Sequence, residues 1–289
     1  MNKRYLIVNA DDFGLTQSMN GAIAELFGLG LITSSTVLAP ARHAQEACML
    51  AAKNSLPVGV HWTLHAEWAD EAWAPAARDA ASLLYEGALY HDEGTMAKAA
   101  RSVDVTRELE GQYRYLAERG CVPDHADSHG GTLYGTNGRL FFINAFRVCK
   151  KHALPFRFAK SPAFIARQTG GELSSVLRAA HRTIVMAAEA MKVPLLDELV
   201  THPLPVERIE SYEALCAYYE RALASCTAGV TEVFMHPSLP DDALLKRTPQ
   251  WQKRVWEYEC LKSGRLSRFA EQEGFALVSW EDAPFERRG

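Results

Sequence analysis

The sequence has little of what marks a disulfide-rich, secreted or membrane-spanning chain. Its six cysteines form no CxxC motif and no closely spaced pair, which favours reduced thiols in a cytoplasmic protein. No apolar run approaches the roughly 20 residues of a membrane span. The N-terminal run Tyr5-Leu6-Ile7-Val8 is also too short for a signal peptide and is typical of a first β-strand.

A strong excess of charge of one sign is also missing. The chain has 31 Lys and Arg against 35 Asp and Glu, for a formal net charge of −4. The chain therefore lacks the excess of positive charge that is typical of proteins that bind a nucleic acid or an anionic membrane, and we expect neither as a partner. With 289 residues, the chain can bury a core that needs no disulfide or metal to fold. Any bound metal is therefore expected to be catalytic.

Eight short apolar runs, rich in β-branched or aromatic residues, recur along the chain with helical stretches between most of them. They lie near residues 5–10, 34–39, 58–64, 122–127, 156–159, 195–201, 230–235 and 276–280. This alternation is typical of βα units with a parallel sheet. Because no linker rich in Pro, Gly or Ser interrupts it, the sequence predicts a single α/β domain over 1–289, a closed or nearly closed TIM-like (β/α) barrel.

Helical periodicity predicts helices over about 105–119, 139–152, 211–226 and 249–273, the last with a break at Gly264. The stretch at about 66–103 lacks such periodicity and follows the third strand directly. Loops of this length are commonly functional. We interpret it as a lid or substrate wall, and the alternative is an insertion that only packs on the barrel.

Polar residues follow the predicted strands at their carboxyl ends, where the chemistry of a βα barrel gathers. Strand one ends in Asp11 and Asp12, strand three carries His61, strand four runs into His125, Asp127 and His129, strand five offers Arg157, strand six ends in His202 and strand seven ends in His236. One carboxylate and two imidazoles from different strand ends are a set that binds a borderline divalent cation and leaves positions open for water and substrate.

Several of these residues also have a simpler interpretation. Asp11 and Asp12 are suited to cap a helix beginning near Thr16. His61, within an apolar strand, is alternatively a hydrogen-bonded core residue. His202 and His236 both precede proline, and only one of them need be functional.

Five segments together resemble, in order and approximate spacing, the YdjC-like carbohydrate deacetylases. They are Val8-Asn9-Ala10-Asp11-Asp12-Phe13-Gly14, Gly30-Leu31-Ile32-Thr33-Ser34-Ser35-Thr36, Val58-Gly59-Val60-His61, His125-Ala126-Asp127-Ser128-His129 and Glu232-Val233-Phe234-Met235-His236-Pro237. The resemblance covers nearly the whole chain. It implies a distorted barrel of the glycoside hydrolase/deacetylase type and hydrolysis of an N-acetyl group from an amino sugar or short oligosaccharide.

The resemblance also implies roles for individual residues. It gives Asp12, His61 and His129 as ligands of one divalent metal ion, with magnesium or zinc as the expected metal. It gives Asp11 as the general base and His236 as the group that protonates the leaving amine, and it places Arg157 after strand five. We expect Arg157, Asp127 and Trp62 to bind the substrate. Trp62, Trp68 and Trp73 are the candidates for stacking on a sugar ring, and the alternative for each is a place in the core. A homodimer is the suggested assembly.

The sequence departs from the family pattern at two places. Gly130-Gly131 follows His129 where further histidines are usual, and the usual His-x-Asn-Leu-Thr after strand three is His61-Trp62-Thr63-Leu64-His65. Both changes spare the implied ligands but alter the floor of the pocket. Two alternatives stay open: a metal-dependent hydrolase of another amide or of a glycosidic bond, and a non-catalytic sugar-binding or regulatory protein that keeps the metal site.

Overall fold

The computed structural model describes residues 3–227 and 229–285. The strands are β1 (Arg4–Phe13), β2 (Ser34–Val37), β3 (Val58–Trp62), β4 (Leu84–Tyr85), β5 (Ala88–Leu89), β6 (Ala126–Ser128), β7 (Phe156–Ala159), β8 (Leu195–Leu196), β9 (Glu198–Val200), β10 (Gly229–Met235) and β11 (Phe275–Leu277). The α-helices are α1 (Gln17–Gly28), α2 (Ala44–Asn54), α3 (Glu93–Ala99), α4 (Ser102–Ala117), α5 (Phe142–His152), α6 (Ala163–Thr169), α7 (Ser175–Met191), α8 (Tyr212–Ala224), α9 (Asp242–Arg247), α10 (Trp251–Lys262) and α11 (Arg265–Gln272).

All strands except β4 and β5 form one parallel sheet, in the order β8-β7-β6-β3-β2-β1-β10-β9. β8 and β9 follow one another along the chain, and β8 pairs with β7 whereas β9 pairs with β10, so the sheet closes on itself. β11 pairs with the first residues of β1, and β2 pairs with its last residues. With β8 and β9 taken as one strand, eight parallel strands form a nearly closed barrel in a single α/β domain, which confirms the predicted fold class.

The predicted helices are present, with their ends displaced by three residues or fewer. The break expected in the last helix separates α10 from α11 at Gly264, where φ is +67°. Residues with a side chain rarely adopt this conformation, so glycine suits the corner between the two helices. In the part of the chain that the structure describes, no helix combines the length and apolarity needed to cross a membrane. All six cysteines are free and buried.

The insertion at 66–103 packs partly on α4. The buried Glu108 carboxylate accepts hydrogen bonds from the backbone N–H groups of Ala76 and Ala77, at 2.9 and 2.8 Å. Gly111, one turn further along α4, allows a close approach, since a Cβ there would lie 2.8 Å from the Ala77 nitrogen. α4 therefore fixes the middle of the insertion to the barrel.

Candidate active site

Two adjacent aspartates lie at the carboxyl end of β1, and both are buried. Asp12 has φ of +66°, a region that residues other than glycine seldom occupy. The pairing of β1 with β2 also shifts register between Ala10 and Phe13. This irregularity breaks the alternation of a regular strand, and both carboxylates come within 4.8 Å of a ring nitrogen of His61. Strain of this kind is commonly found at functional sites.

Asp12, His61 and His129 bring three possible metal-binding atoms together. Asp12 Oδ1 lies 3.3 Å from His61 Nε2 and 3.2 Å from His129 Nδ1, and these two nitrogens are 3.3 Å apart. All three side chains are buried, and Asp12 Oδ1 accepts no hydrogen bond. Ligand atoms held about 2.1 Å from one divalent cation have a similar spacing. The three residues therefore fit a cation whose remaining coordination positions are open.

Each imidazole of this triad is held by a carboxylate at its other ring nitrogen. His61 Nδ1 lies 2.6 Å from Asp127 Oδ1, and His129 Nε2 lies 2.7 Å from Glu67 Oε2. A ring that donates its N–H outward keeps the lone pair of its second nitrogen for a cation. Burial alone would lower the pKa of both rings, but Asp127 and Asp12 raise the pKa of His61 to about 9, and Asp12 and Glu67 raise that of His129 to about 10. The pocket thus carries a strongly negative potential that favours a bound cation.

Arg157 lies inside the barrel among carboxylates from three strands. It donates two hydrogen bonds to Asp11, at 2.7 and 2.8 Å, and two to Glu232 Oε1, at 2.9 and 2.6 Å. It also pairs with Asp127 Oδ2 at 2.6 Å. Despite the guanidinium, burial raises the pKa of Glu232 to about 7. Arg157 therefore fixes both oxygens of Asp11.

The structure corrects the substrate-binding roles predicted for Arg157 and Asp127. Arg157 is only 3 % exposed and Asp127 is fully buried. The Asp127 carboxylate lies between the His61 ring and the Arg157 guanidinium, so its oxygens face protein groups. Both residues support other groups of the site instead of meeting a substrate themselves.

His236 directly follows β10, and its ring is 31 % exposed. Its Nε2 lies 3.8 Å from Asp11 Oδ2, and its Nδ1 lies 3.9 Å from Glu257 Oε2. The pKa of His236 lies below its usual value, because the lowering by partial burial outweighs the raising effect of the nearby Asp12 and Asp11 carboxylates. The residues predicted as acid, base and cation ligands therefore share one pocket at the carboxyl ends of the strands.

The structure contradicts the stacking role predicted for Trp62. Trp62 is fully buried, and its Nε1–H donates to the backbone carbonyl of Leu109 in α4 at 2.9 Å. It directly follows His61, and successive side chains of a strand point to opposite faces. Because His61 faces the interior of the barrel, Trp62 faces the surrounding helices and has no ring face to offer to a sugar.

His202, the other histidine before a proline, packs in the core. Its ring lies 4.4 Å from that of Tyr218 and 6.2 Å from that of Tyr219, between ring centres. Its Nδ1 accepts a hydrogen bond from the backbone of Leu204 at 3.3 Å. Burial lowers the pKa of His202 to about 4, which keeps the ring neutral. His236 is thus the histidine of this pair that lies beside Asp11.

Three residues of the site were missed by sequence reasoning. Arg254 donates to Asp12 Oδ2 at 2.7 Å and, with the two imidazoles, holds the pKa of the buried Asp12 carboxyl well below its usual range. Glu257 accepts a hydrogen bond from the backbone N–H of His236 at 2.7 Å. The third is Glu67. A basic and an acidic residue three positions apart, as in α10, are common on exposed helix faces, so that spacing gives no functional signal.

Two glycines follow His129, at the positions where the family pattern has further histidines. Gly130 and Gly131 have φ of +58° and +71°, which favours glycine at both positions. A Cβ on Gly130 would lie 3.2 Å from Glu93 Oε1 and 3.3 Å from His65 Cε1. The His65 ring in turn stacks on that of His129, with 5.4 Å between ring centres. His65 and Glu93 therefore fill the space beside the glycines.

Comparison with known proteins identifies the family of the chain. The model of the YdjC-like protein family matches residues 5–272. The chain belongs to the YdjC-like protein family. The resemblance seen in the five motifs is thereby confirmed.

Relatives in this family cover nearly all or about half of the chain. A carbohydrate deacetylase of Enterococcus faecalis is 26 % identical and covers 97 % of this chain and 98 % of its own. A carbohydrate deacetylase of Geobacillus stearothermophilus is 38 % identical over 155 residues, which are 53 % of this chain and 59 % of that one. A crystal structure described as a cellobiose-phosphate cleavage protein of Enterococcus faecalis has a TM-score of 0.75 at 25 % identity, with 96 % and 98 % of the two chains covered.

Proposed function

We propose that this YdjC-like protein is a metal-dependent carbohydrate deacetylase, which removes the N-acetyl group from an amino sugar or a short oligosaccharide. The observation that carries the proposal is the triad of buried donor atoms of Asp12, His61 and His129, spaced 3.2–3.3 Å apart beside the fixed carboxylate of Asp11. The relatives named carbohydrate deacetylases support the choice of substrate.

The donor set favours one class of cation. Two imidazoles and one carboxylate suit zinc and other transition metals, whereas magnesium prefers oxygen ligands and retained water. Of the two metals expected from the sequence, zinc is therefore the one we propose. When bound, such a cation supplies a Lewis acid that polarises the acetamide carbonyl and acidifies the attacking water.

The reaction needs two proton transfers, one carried out by Asp11 and the other by His236. Asp11, oriented by Arg157, accepts a proton from the attacking water as the new C–O bond forms. The amide C–N bond then breaks, and His236 donates a proton to the departing nitrogen, so that acetate and the free amine leave. A lowered pKa makes the protonated His236 ring a stronger acid toward that nitrogen.

Acetate release from a panel of N-acetylated sugars, with and without a chelator, tests the function. We expect release that stops when the metal is removed and returns with zinc. His61→Gln is expected to retain less than about 1 % of the activity, because it removes a ligand. His91→Gln, a change at an exposed histidine of the insertion, is the matched control and is expected to keep full activity.

Other outcomes distinguish the alternatives. Reducing ends that accumulate without acetate would indicate cleavage of a glycosidic bond. Release of another acyl group alone would indicate a different amide. Stoichiometric metal with no turnover of any sugar would indicate a sugar-binding or regulatory protein. Each of these results contradicts the deacetylase proposal.

Three further predictions accompany the function. We propose that the insertion at 66–103 forms a wall or lid of the substrate pocket, since its residue Glu67 holds His129. The buried free cysteines support the predicted cytoplasmic location. The predicted homodimer is tested by the mass of the purified protein in solution.

A further inference from the structure

The helix α10 contacts two different functional groups of the pocket from outside the barrel. Arg254 holds Asp12, one of the candidate cation ligands, and Glu257 lies three residues further along, on the same helix face. Glu257 is fully buried, which is costly for a carboxylate unless hydrogen bonds compensate.

The hydrogen bonds of Glu257 connect it to His236. Its Oε2 accepts from the His236 backbone N–H at 2.7 Å and lies 3.9 Å from His236 Nδ1. Its Oε1 accepts from the Tyr219 hydroxyl at 2.7 Å. The carboxylate is thus fixed at both oxygens, and one of them faces the inner nitrogen of the His236 ring.

The opposite nitrogen of the ring faces Asp11, at 3.8 Å between Nε2 and Oδ2. At 3.8 and 3.9 Å, both ring contacts are longer than a hydrogen bond, and contacts of this kind commonly tighten when a substrate binds. With Nδ1–H directed to Glu257, Nε2 is the atom left to exchange a proton with the leaving group.

We propose that Glu257 is a positioning residue, which fixes the backbone and the ring of His236 so that Nε2 serves the reaction. This inference deepens the deacetylase function proposed above and rests on it for its kinetic consequences. The charged groups that face His236 are Asp11 and Asp12 from β1, and Arg254 and Glu257 from α10. Among the α10 groups, Glu257 is the one whose negative charge favours the protonated ring.

The decisive measurement is the titration of His236 by NMR in metal-free Glu257→Gln, with the signal assigned by its loss in His236→Gln. Glutamine keeps the shape and an acceptor oxygen but removes the charge. We expect the pKa of His236 to fall by about one pH unit. Glu259→Gln, at an exposed position of the same helix, is the matched control and is expected to leave the titration unchanged.

The kinetic readout separates positioning from substrate binding. In Glu257→Gln we expect kcat to fall about tenfold with KM nearly unchanged, and the alkaline limb of the kcat profile to move to lower pH. Tyr219→Phe removes one hydrogen bond to the Glu257 carboxylate but leaves the charge of that carboxylate in place. It is expected to lower the unfolding temperature without moving that limb downward.

Two results would overturn the inference. One is a folded Glu257→Gln variant in which His236 titrates as in the wild type. The other is an equal downward shift in Tyr219→Phe, which would assign the effect to lost packing. If the wild type releases no acetate while the NMR shift is present, the deacetylase proposal fails and the placement of His236 by Glu257 is supported.

Discussion

Two arginines hold two neighbouring aspartates, and they do so in different surroundings. Arg157, within the barrel, faces the carboxylates of Asp11, Asp127 and Glu232 from three strands. Arg254 reaches in from α10, is 12 % exposed on its side chain, and contacts one oxygen of Asp12. The first arginine compensates the charge of the barrel interior, and the second leaves the other oxygen of its aspartate available to a cation.

The comparison shows how adjacent residues acquire different chemistry. Asp11 has both oxygens occupied by one guanidinium, so it is oriented as a base. Asp12 has Oδ2 occupied and Oδ1 without a donor, so it is oriented as a ligand that binds through one oxygen. Changes at each arginine or aspartate therefore affect different properties.

The largest expected effect follows from Arg157→Met. Three buried carboxylates would lose their common cation, and breaking such a buried network costs about 3–5 kcal/mol. We expect the free energy of unfolding, measured in urea, to fall by this amount. Arg182→Met, at an exposed position of α7, should change it little. An Arg157→Met variant as stable as the wild type would show that the interior carboxylates do not depend on this charge.

Changes at the two aspartates separate turnover from cation binding. Asp11→Asn is expected to retain one equivalent of metal and to lose about 10²- to 10⁴-fold in turnover, because the proton acceptor is gone. Asp12→Asn is expected to weaken cation affinity by more than about 100-fold. Metal content after dialysis and acetate release measure the two properties. Equal activity in Asp11→Asn would remove this residue from the mechanism.

Arg254→Met should have a smaller effect, and one that a cation can compensate. In the metal-free variant, the buried Asp12 carboxylate loses its 2.7 Å partner, which costs about 1–3 kcal/mol. Because a cation at the triad provides a new partner, we expect added zinc to restore most of this loss, whereas it should not restore Arg157→Met. Unfolding curves with and without zinc test the contrast, and equal rescue of both variants would contradict it.

Sequence reasoning located the barrel because local patterns determine it. The apolar run at 195–201 was predicted as one strand, and the structure divides it into β8 and β9, which close the sheet. The resemblance gave Asp12, His61 and His129 as the candidate ligands, and the structure brings their side chains together because the carboxyl ends of parallel strands converge. The alternation of side chains within β3 also predicts the orientation of Trp62, because the residue next to an inward-facing His61 faces outward.

The sequence could not show which side chains meet across the barrel or from the outer helices. Arg157 was predicted to bind the substrate because its position in strand five is visible in the sequence. Two of the three carboxylates around it, those of Glu232 and Asp11, are 75 and 146 residues away in the chain. Glu257 and Arg254 lie in a helix whose charges follow an ordinary spacing. Such contacts depend on how α10 packs against the barrel, and this packing cannot be predicted from a local sequence pattern.

The smallest expected effect concerns the cationic side of α10. Lys253, next to Arg254, donates to the backbone carbonyl of His202 at 2.9 Å, and burial together with this lysine lowers the pKa of His202 to about 4. The unfolded chain, with an ordinary histidine pKa of 6.5, binds the proton more readily, so stability is lost as the pH falls below 6.5. We expect this residue to contribute a loss of about 1 kcal/mol between pH 6.5 and 5.5. His202→Gln should flatten that part of the profile of unfolding free energy against pH, while His91→Gln should not. If the slope of unfolding free energy against pH is unchanged in His202→Gln, the pKa of His202 is not lowered in the folded protein. The electrostatic effect of the α10 cations would then be limited to Asp12.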